Sequence, residues 1–168
     1  EALLRAGRRL GSVPIEEAGI AALDWLCAIQ SSSEGHFRPM GCEGFGTPGE
    51  LFPFDQQPLE AWATVDACAT AYRITGKLRW HDRAERAYAW FLGANDRGGV
   101  LASSATGRCC DGLTRHGVNL NVGAESVLAF HLAHRAMADT FWAKGVAKDS
   151  GASDVDLRSQ PLAVAHPS

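Results

Sequence analysis

The run from Gln57 to Thr75 constrains this chain more than any other stretch. It has helical length, Gly76 follows it as a stop signal, and its only charges are Glu60, Asp66 and Arg73. Most of its side chains are small: Ala61, Ala63, Ala67, Cys68, Ala69 and Ala71. A helix so poor in charge has to be buried on most sides. The link Thr75-Gly76-Lys77 is too short for anything but an immediate reversal, so the next periodic run, Leu78 to Leu92, returns antiparallel. An interior helix and one tight hairpin are therefore expected at the centre of the fold.

The remaining segments arrange themselves around that hairpin. Glu1 to Leu10 reads as a short helix stopped by Gly11. Ser12 and Pro14 open a second helix that ends near Gln30, with Ile15, Ala18, Ala22, Trp25, Leu26 and Ile29 as its apolar set. In the fourth helix Trp80, Ala84, Ala87, Tyr88 and Phe91 form one stripe, and Gly93 ends it. A fifth helix runs from about Gly123 to Met137, extending toward Trp142, on Val127, Leu128, Phe130, Leu132, Ala133 and Met137. Two long loops separate these runs. Residues 31–54 carry Phe37, Phe45, Phe52 and Phe54, which favours an ordered loop. Residues 94–122 contain a short β-hairpin expected around Ala105-Thr106-Gly107. The expected fold is all-α, with a helical domain over 1–142 and a C-terminal tail over 143–168.

Bulk properties exclude several function classes. The net charge is −3 with no block of Lys or Arg, which does not suit a nucleic-acid surface. No apolar run reaches the roughly 18 residues that span a bilayer. Five cysteines, an odd number, with Cys27 and Cys68 inside helical runs, favour a reducing, cytoplasmic setting over a disulfide framework. A zinc site would have to combine His36, Cys42, Cys109, Cys110 and His116, a spacing that matches no C-x-x-C or H-x-x-x-H arrangement; no metal and no cofactor are expected. Gly44 to Gly49 lacks the preceding strand and following Lys-Ser/Thr of a phosphate loop. There is no serine nucleophile elbow.

The antiparallel order puts the starts of the third and fifth helices at one end, together with both long loops. The polar residues concentrate there: Asp55, Gln56, Gln57 and Glu60 before and in the third helix, and Asn119, Asn121 and Glu125 before and in the fifth. Asp55 or Gln56, and Asn121, are the expected N-caps. Capping and dipole preference alone account for such residues. Carboxylates and amides beside four phenylalanines also suit a sugar, which offers hydroxyl groups to the former and apolar ring faces to the latter. Glycoside hydrolysis needs one protonated and one ionised carboxyl group. Asp55, Glu60 and Glu125 at helix starts are expected to be ionised, as base or substrate-binding groups. The acid is expected at Asp96 or Asp111, on loops where burial raises a pKa. His116, in the same loop, is a further substrate-binding candidate; His131 and His134, mid-helix, are read as structural.

Five ordered motifs carry a resemblance: Asp55-Gln56-Gln57-Pro58-Leu59-Glu60-Ala61, Tyr72 to Gly76, Trp90 to Asp96, Gly107-Arg108-Cys109-Cys110-Asp111-Gly112, and Asn119 to Ser126. Over residues 12–137 the chain resembles an (α/α) toroid domain of the six-hairpin glycosidase-like kind. It is also similar to helical modules associated with bacterial glycosyltransferase-type proteins. The resemblance implies antiparallel hairpins forming a partial toroid, since a complete one needs roughly twice this length. It further implies a carbohydrate-associated role, as a glycoside-processing or saccharide-binding part of a larger glycosyltransferase-like protein, with a saccharide or sugar phosphate as partner. The alternative is a non-catalytic helical module that forms a homodimer or packs on a neighbouring domain.

Overall fold

The computed structural model describes residues 1–41 and 53–142. The expected tail over 143–168 and the loop residues Cys42, Phe45 and Phe52 lie outside them. Five α-helices are present among the described residues: α1 (Ala2–Leu10), α2 (Val13–Ile29), α3 (Pro58–Thr75), α4 (Arg79–Ala89) and α5 (Ala124–Met137). A 3-10 turn, Trp90–Leu92, continues α4, and a π turn, Ala138–Trp142, continues α5. The fold is mostly helical, with one small antiparallel sheet of β1 (Gly112–Thr114) and β2 (Gly117–Asn119). No described helix is long and apolar enough to cross a membrane.

The central helix is where the sequence puts it. α3 packs most extensively on α4 and α5 and also touches α1 and α2. Ala61, Val65, Cys68, Ala69 and Ala71 are fully buried, and small side chains let the neighbouring helices approach. Gly76 ends α3 in the left-handed conformation, φ 67°, where its N–H bonds to the Tyr72 carbonyl, so the tight reversal is real. On α4 the whole expected stripe is inward: Trp80, Ala84, Ala87, Tyr88 and Phe91 are all buried. The guanidinium groups of Arg79 and Arg83 lie 4.6 and 4.8 Å from the centre of the Trp80 ring, and both arginines pair with Asp24 of α2.

Three local expectations are corrected. On α2 the buried residues are Gly19, Leu23 and Cys27, while Trp25 is 58% exposed. This helix is apolar around most of its circumference, so periodicity alone does not select the inward face. Secondly, only an isolated bridge, Ala102 to Cys109, forms around Ala105-Thr106-Gly107. The hairpin forms instead at β1–β2, with Leu113 opposite Val118 and a two-residue turn, Arg115-His116. Thirdly, the N-caps of α3 and α5 are Gln57 and Gly123, not Asp55, Gln56 or Asn121. Gln56 is withdrawn from capping because its backbone N–H and C=O both pair with Leu113, each at 2.9 Å. That bridge fastens the start of α3 to the hairpin and, through it, to the segment that leads into α5.

Candidate functional site

Two polar centres lie on either side of the Gln56–Leu113 bridge. The first is built on Asp96. Gly93, at φ 105°, ends the 3-10 turn, and the buried Asn95 side chain then fixes the bend. Its amide donates to the Trp90 and Gly99 carbonyls at 2.9 and 2.7 Å, and its oxygen accepts from the Arg97 and Gly99 N–H groups. Asp96 is thereby presented to three residues of two other segments. Arg38 donates to both of its oxygens, at 2.7 to 2.9 Å. His36 Nε2 lies 2.6 Å from Oδ1, and Gln56 Nε2 donates to Oδ2 at 2.6 Å.

Gln56 is fully buried, with both amide hydrogens donated and its oxygen accepting. Its amide also donates to the Pro53 carbonyl at 2.7 Å, and its oxygen accepts from Trp90 Nε1 at 2.8 Å. It connects the buried aromatic core to Asp96 and is not open to a ligand. The carboxylate of Asp96 is 7% exposed. Burial alone would raise its pKa, but the bonds from Arg38, His36 and Gln56 outweigh burial and hold it below the usual carboxylate value. The Arg38 guanidinium is held above its own ordinary value, chiefly by the same bond to Asp96.

A cleft of about 290 Å³ opens over this centre, lined by Glu34, His36, Arg38, Pro53, Phe54, Asp96 and Arg97. Arg97 spans its edge: the guanidinium stacks 5.0 Å above the Phe54 ring and also donates to the Arg115 carbonyl at the hairpin turn. The cleft therefore combines an aromatic face, two guanidinium groups, an imidazole and two carboxyl groups.

The second centre is Asp111. Its carboxylate accepts from the Gly123 N–H at 2.6 Å, the Ser126 hydroxyl at 2.8 Å and the Asn121 amide. Gly123 is the N-cap of α5 and Ser126 its third residue, so a carboxylate from 12 residues upstream does the work of a cap. The Gly123 N–H, followed by Asn121 and Ser126, holds the Asp111 carboxyl below its ordinary value. Replacing Asp111 by Ala is expected to lower stability by about 1 kcal/mol, measured as a shift in the urea unfolding midpoint with unchanged slope. No shift would mean that water replaces the carboxylate at no cost.

At three of the candidate carboxyls the shift runs against expectation. Asp96 and Asp111, the expected acids, are both held ionised by donors from distant segments. Glu60, expected to be ionised at the start of α3, has its pKa raised to about 7 by burial. One Glu60 oxygen is buried without a hydrogen-bond partner. The favourable end of a helix stabilises a carboxylate only weakly compared with the cost of taking it out of water.

Asp55, Gln57, Asn119, Asn121 and Glu125 are all exposed, flanking the segments joined by the Gln56–Leu113 bridge. Within this set the structure records a single hydrogen bond, from the Asn121 N–H to the Asn119 side-chain oxygen at 3.2 Å. His116 occupies the exposed hairpin turn, where its N–H donates to the Thr114 hydroxyl at 3.1 Å. Sequence reasoning missed Arg38 and the role of His36. The signal was present as His36-x-Arg38 in a loop, a spacing that turns alternate side chains of an extended segment to one side.

Among the described residues, metal-compatible side chains come together only at His81, Asp82 and Glu85, on the outer face of α4. Cys109 and Cys110 are free thiols. In comparisons with known proteins, no family model matches the chain, and no curated protein matches it significantly.

Proposed function

We propose that this chain is a saccharide-binding helical domain, forming part of a larger glycosyltransferase-like protein and arranged as a partial (α/α) toroid. The observation that carries the reading is the cleft over Asp96. Arg38, Arg97 and His36 offer donors to hydroxyl or phosphate oxygens, Glu34 offers acceptors, and Phe54 offers an apolar face. With two arginines in the lining, the cleft suits a sugar phosphate as well as a neutral saccharide. The free thiols of Cys27, Cys68, Cys109 and Cys110 fit a cytoplasmic setting.

The same geometry argues for binding without hydrolysis. Glycoside hydrolysis needs a protonated carboxyl about 5–10 Å from an ionised one. Asp96 is ionised and locked by its donors, and neither Glu60 nor Asp66, the carboxyls whose pKa burial raises, lines the cleft. The expected result of titrating the chain with a panel of oligosaccharides and sugar phosphates is weak, saturable binding. It should be read by NMR as shifts concentrated at His36, Phe54 and Arg97, with no sugar released. Arg97→Ala should weaken that binding at least several-fold while leaving the fold intact. If no ligand perturbs the cleft, or if Arg97→Ala binds as wild type does, the saccharide reading fails.

The alternative, a helical interaction module, has its own supporting observation. Leu59 of α3 and Leu128 and Leu132 of α5 are 39, 60 and 42% exposed, although both helices belong to the apolar centre. An exposed apolar flank of this kind suits a neighbouring domain or a second copy. Light scattering should then show dimers or larger species at high concentration. A strict monomer would count against this alternative and against an uncovered inner flank.

A further inference from the structure

A second cavity lies away from the Asp96 cleft, between α2, α3 and α4. It has a volume of about 120 Å³ and is lined by Cys27, Ala28, Ser31, Phe37, Thr64, Arg83 and Arg86. Cys27 is one of its walls. Directly behind it, with no exposed surface of its own, is Cys68 of α3, with the two sulfurs 3.8 Å apart. One cysteine thus lines a small cavity of mixed polar and apolar character, and its partner lies outside the lining. Neither is used by the saccharide site.

We propose that Cys27 and Cys68 form a hydroperoxide-sensitive thiol pair, with Cys27 as the residue oxidised first and Cys68 as the residue that resolves it. The cavity is large enough for a small peroxide. The Ser31 and Thr64 hydroxyls and the Arg83 guanidinium supply polar contacts in it. In the first step the Cys27 thiolate attacks one peroxide oxygen and the O–O bond breaks. The leaving hydroxide takes a proton to become water, and Cys27 becomes a sulfenic acid. In the second step the Cys68 sulfur attacks the Cys27 sulfur. The S–O bond breaks, and the departing hydroxyl leaves as water with the Cys68 proton. In total two thiols lose two protons and two electrons, the peroxide gains them, and two waters form. The sulfurs must close from 3.8 Å to a bond of about 2.05 Å.

The electrostatics assign the two roles in the same order. With Cys68 as donor, the S–H···S contact lowers the Cys27 pKa, and Arg83 reinforces this against the opposing effect of burial. The same contact, together with burial, pushes the Cys68 thiol well above its usual value. Cys109 provides an internal control, because burial, then Cys110 and Asp111, raise its pKa to about 12. The two shifts run in opposite directions, so Cys27 should react ahead of Cys109.

The test is to treat the folded chain with hydrogen peroxide and map its cysteines by peptide mass spectrometry. The expected product is a Cys27–Cys68 cross-linked peptide, lighter by two hydrogens and reversed by dithiothreitol. In Cys68→Ser, with folding checked by circular dichroism, a sulfenic acid should accumulate at Cys27 and be trapped by dimedone. Cys27→Ser should show no sulfenic acid at Cys68. The proposal is overturned if the wild-type protein cross-links another pair first. It is equally overturned if Cys27 and Cys68 react only once the protein is unfolded, or if dimedone labels Cys68 in place of Cys27. Because the mapping uses the wild-type chain, a variant that failed to fold would not shield the idea.

Discussion

Replacing Asp96 by Ala is expected to destabilise the protein by about 1–3 kcal/mol, the usual cost of leaving partly buried donors without their acceptor. The deletion removes the shared acceptor of Arg38, His36 and the Gln56 amide; the first two can turn to water in the cleft, whereas Gln56 is fully buried and bears most of the cost. That loss is a large part of a domain's total stability, which is about 5–15 kcal/mol. Asp96→Asn should cost less, since it keeps the shape and one acceptor. The two variants also separate by pH. The Asp96 pKa is lowered from 3.8 in the folded state, so its stabilisation is complete above that ordinary value and is lost as pH falls below it. The Asn variant lacks this acid-side loss. Urea denaturation of the three proteins at neutral and acidic pH measures both effects. An Ala variant within about 1 kcal/mol of wild type would mean that the network only offsets its own desolvation.

Glu60 has the opposite sign. Its pKa rises from 4.5 to about 7 on folding, so the folded state holds a proton that the unfolded chain releases first. Stability should therefore fall as pH rises from 4.5 through 7. Glu60→Gln removes the titration and should be more stable than wild type above that range. After discounting for partial exposure, the gain is about 1–2 kcal/mol. Below the ordinary Glu pKa the two proteins should be nearly equal. A stability difference that stays constant across the whole range would show that Glu60 does not titrate with a raised pKa, and that the Gln acts through shape alone.

Much of the helical framework is legible in the sequence because its signals are local. Glycines at 11, 76 and 93 end helices in the left-handed conformation, and Pro58 opens α3 at its first position. The stripe on α4 alternates cleanly with charge. α2 shows the limit of this reasoning, since a helix apolar on most sides leaves its buried face to be chosen by neighbours. The hairpin at Arg115-His116 has no Asn-Gly or Asp-Gly in its two-residue turn and so escaped notice. The site was only half legible. Gln56 stood out as a polar residue near a helix start, and Asp96 and Asp111 as carboxyls on the long loop. Their protonation and partners did not, because the donors that decide them come from 10 to 60 residues away. A pKa argument from burial alone fails wherever such a donor arrives.

Gln56 has one more consequence, which concerns the order in which the molecule comes apart. Its side chain and backbone join Trp90, Asp96 and Leu113, while Asp96 in turn holds His36 and Arg38. Closing these loops costs chain entropy, which the burial of Trp90 and Leu113 has to offset. α3 and α4, by contrast, are joined by a tight turn and share a dense apolar face. The junction should thus open as a separate, less protected unit before the α3–α4 hairpin does. In native-state hydrogen exchange the Gln56 and Leu113 amides, which bond to each other's carbonyls, should exchange together and faster than the amides of Val65 to Ala71. The cleft would then be lost and regained many times during the lifetime of a single folded core.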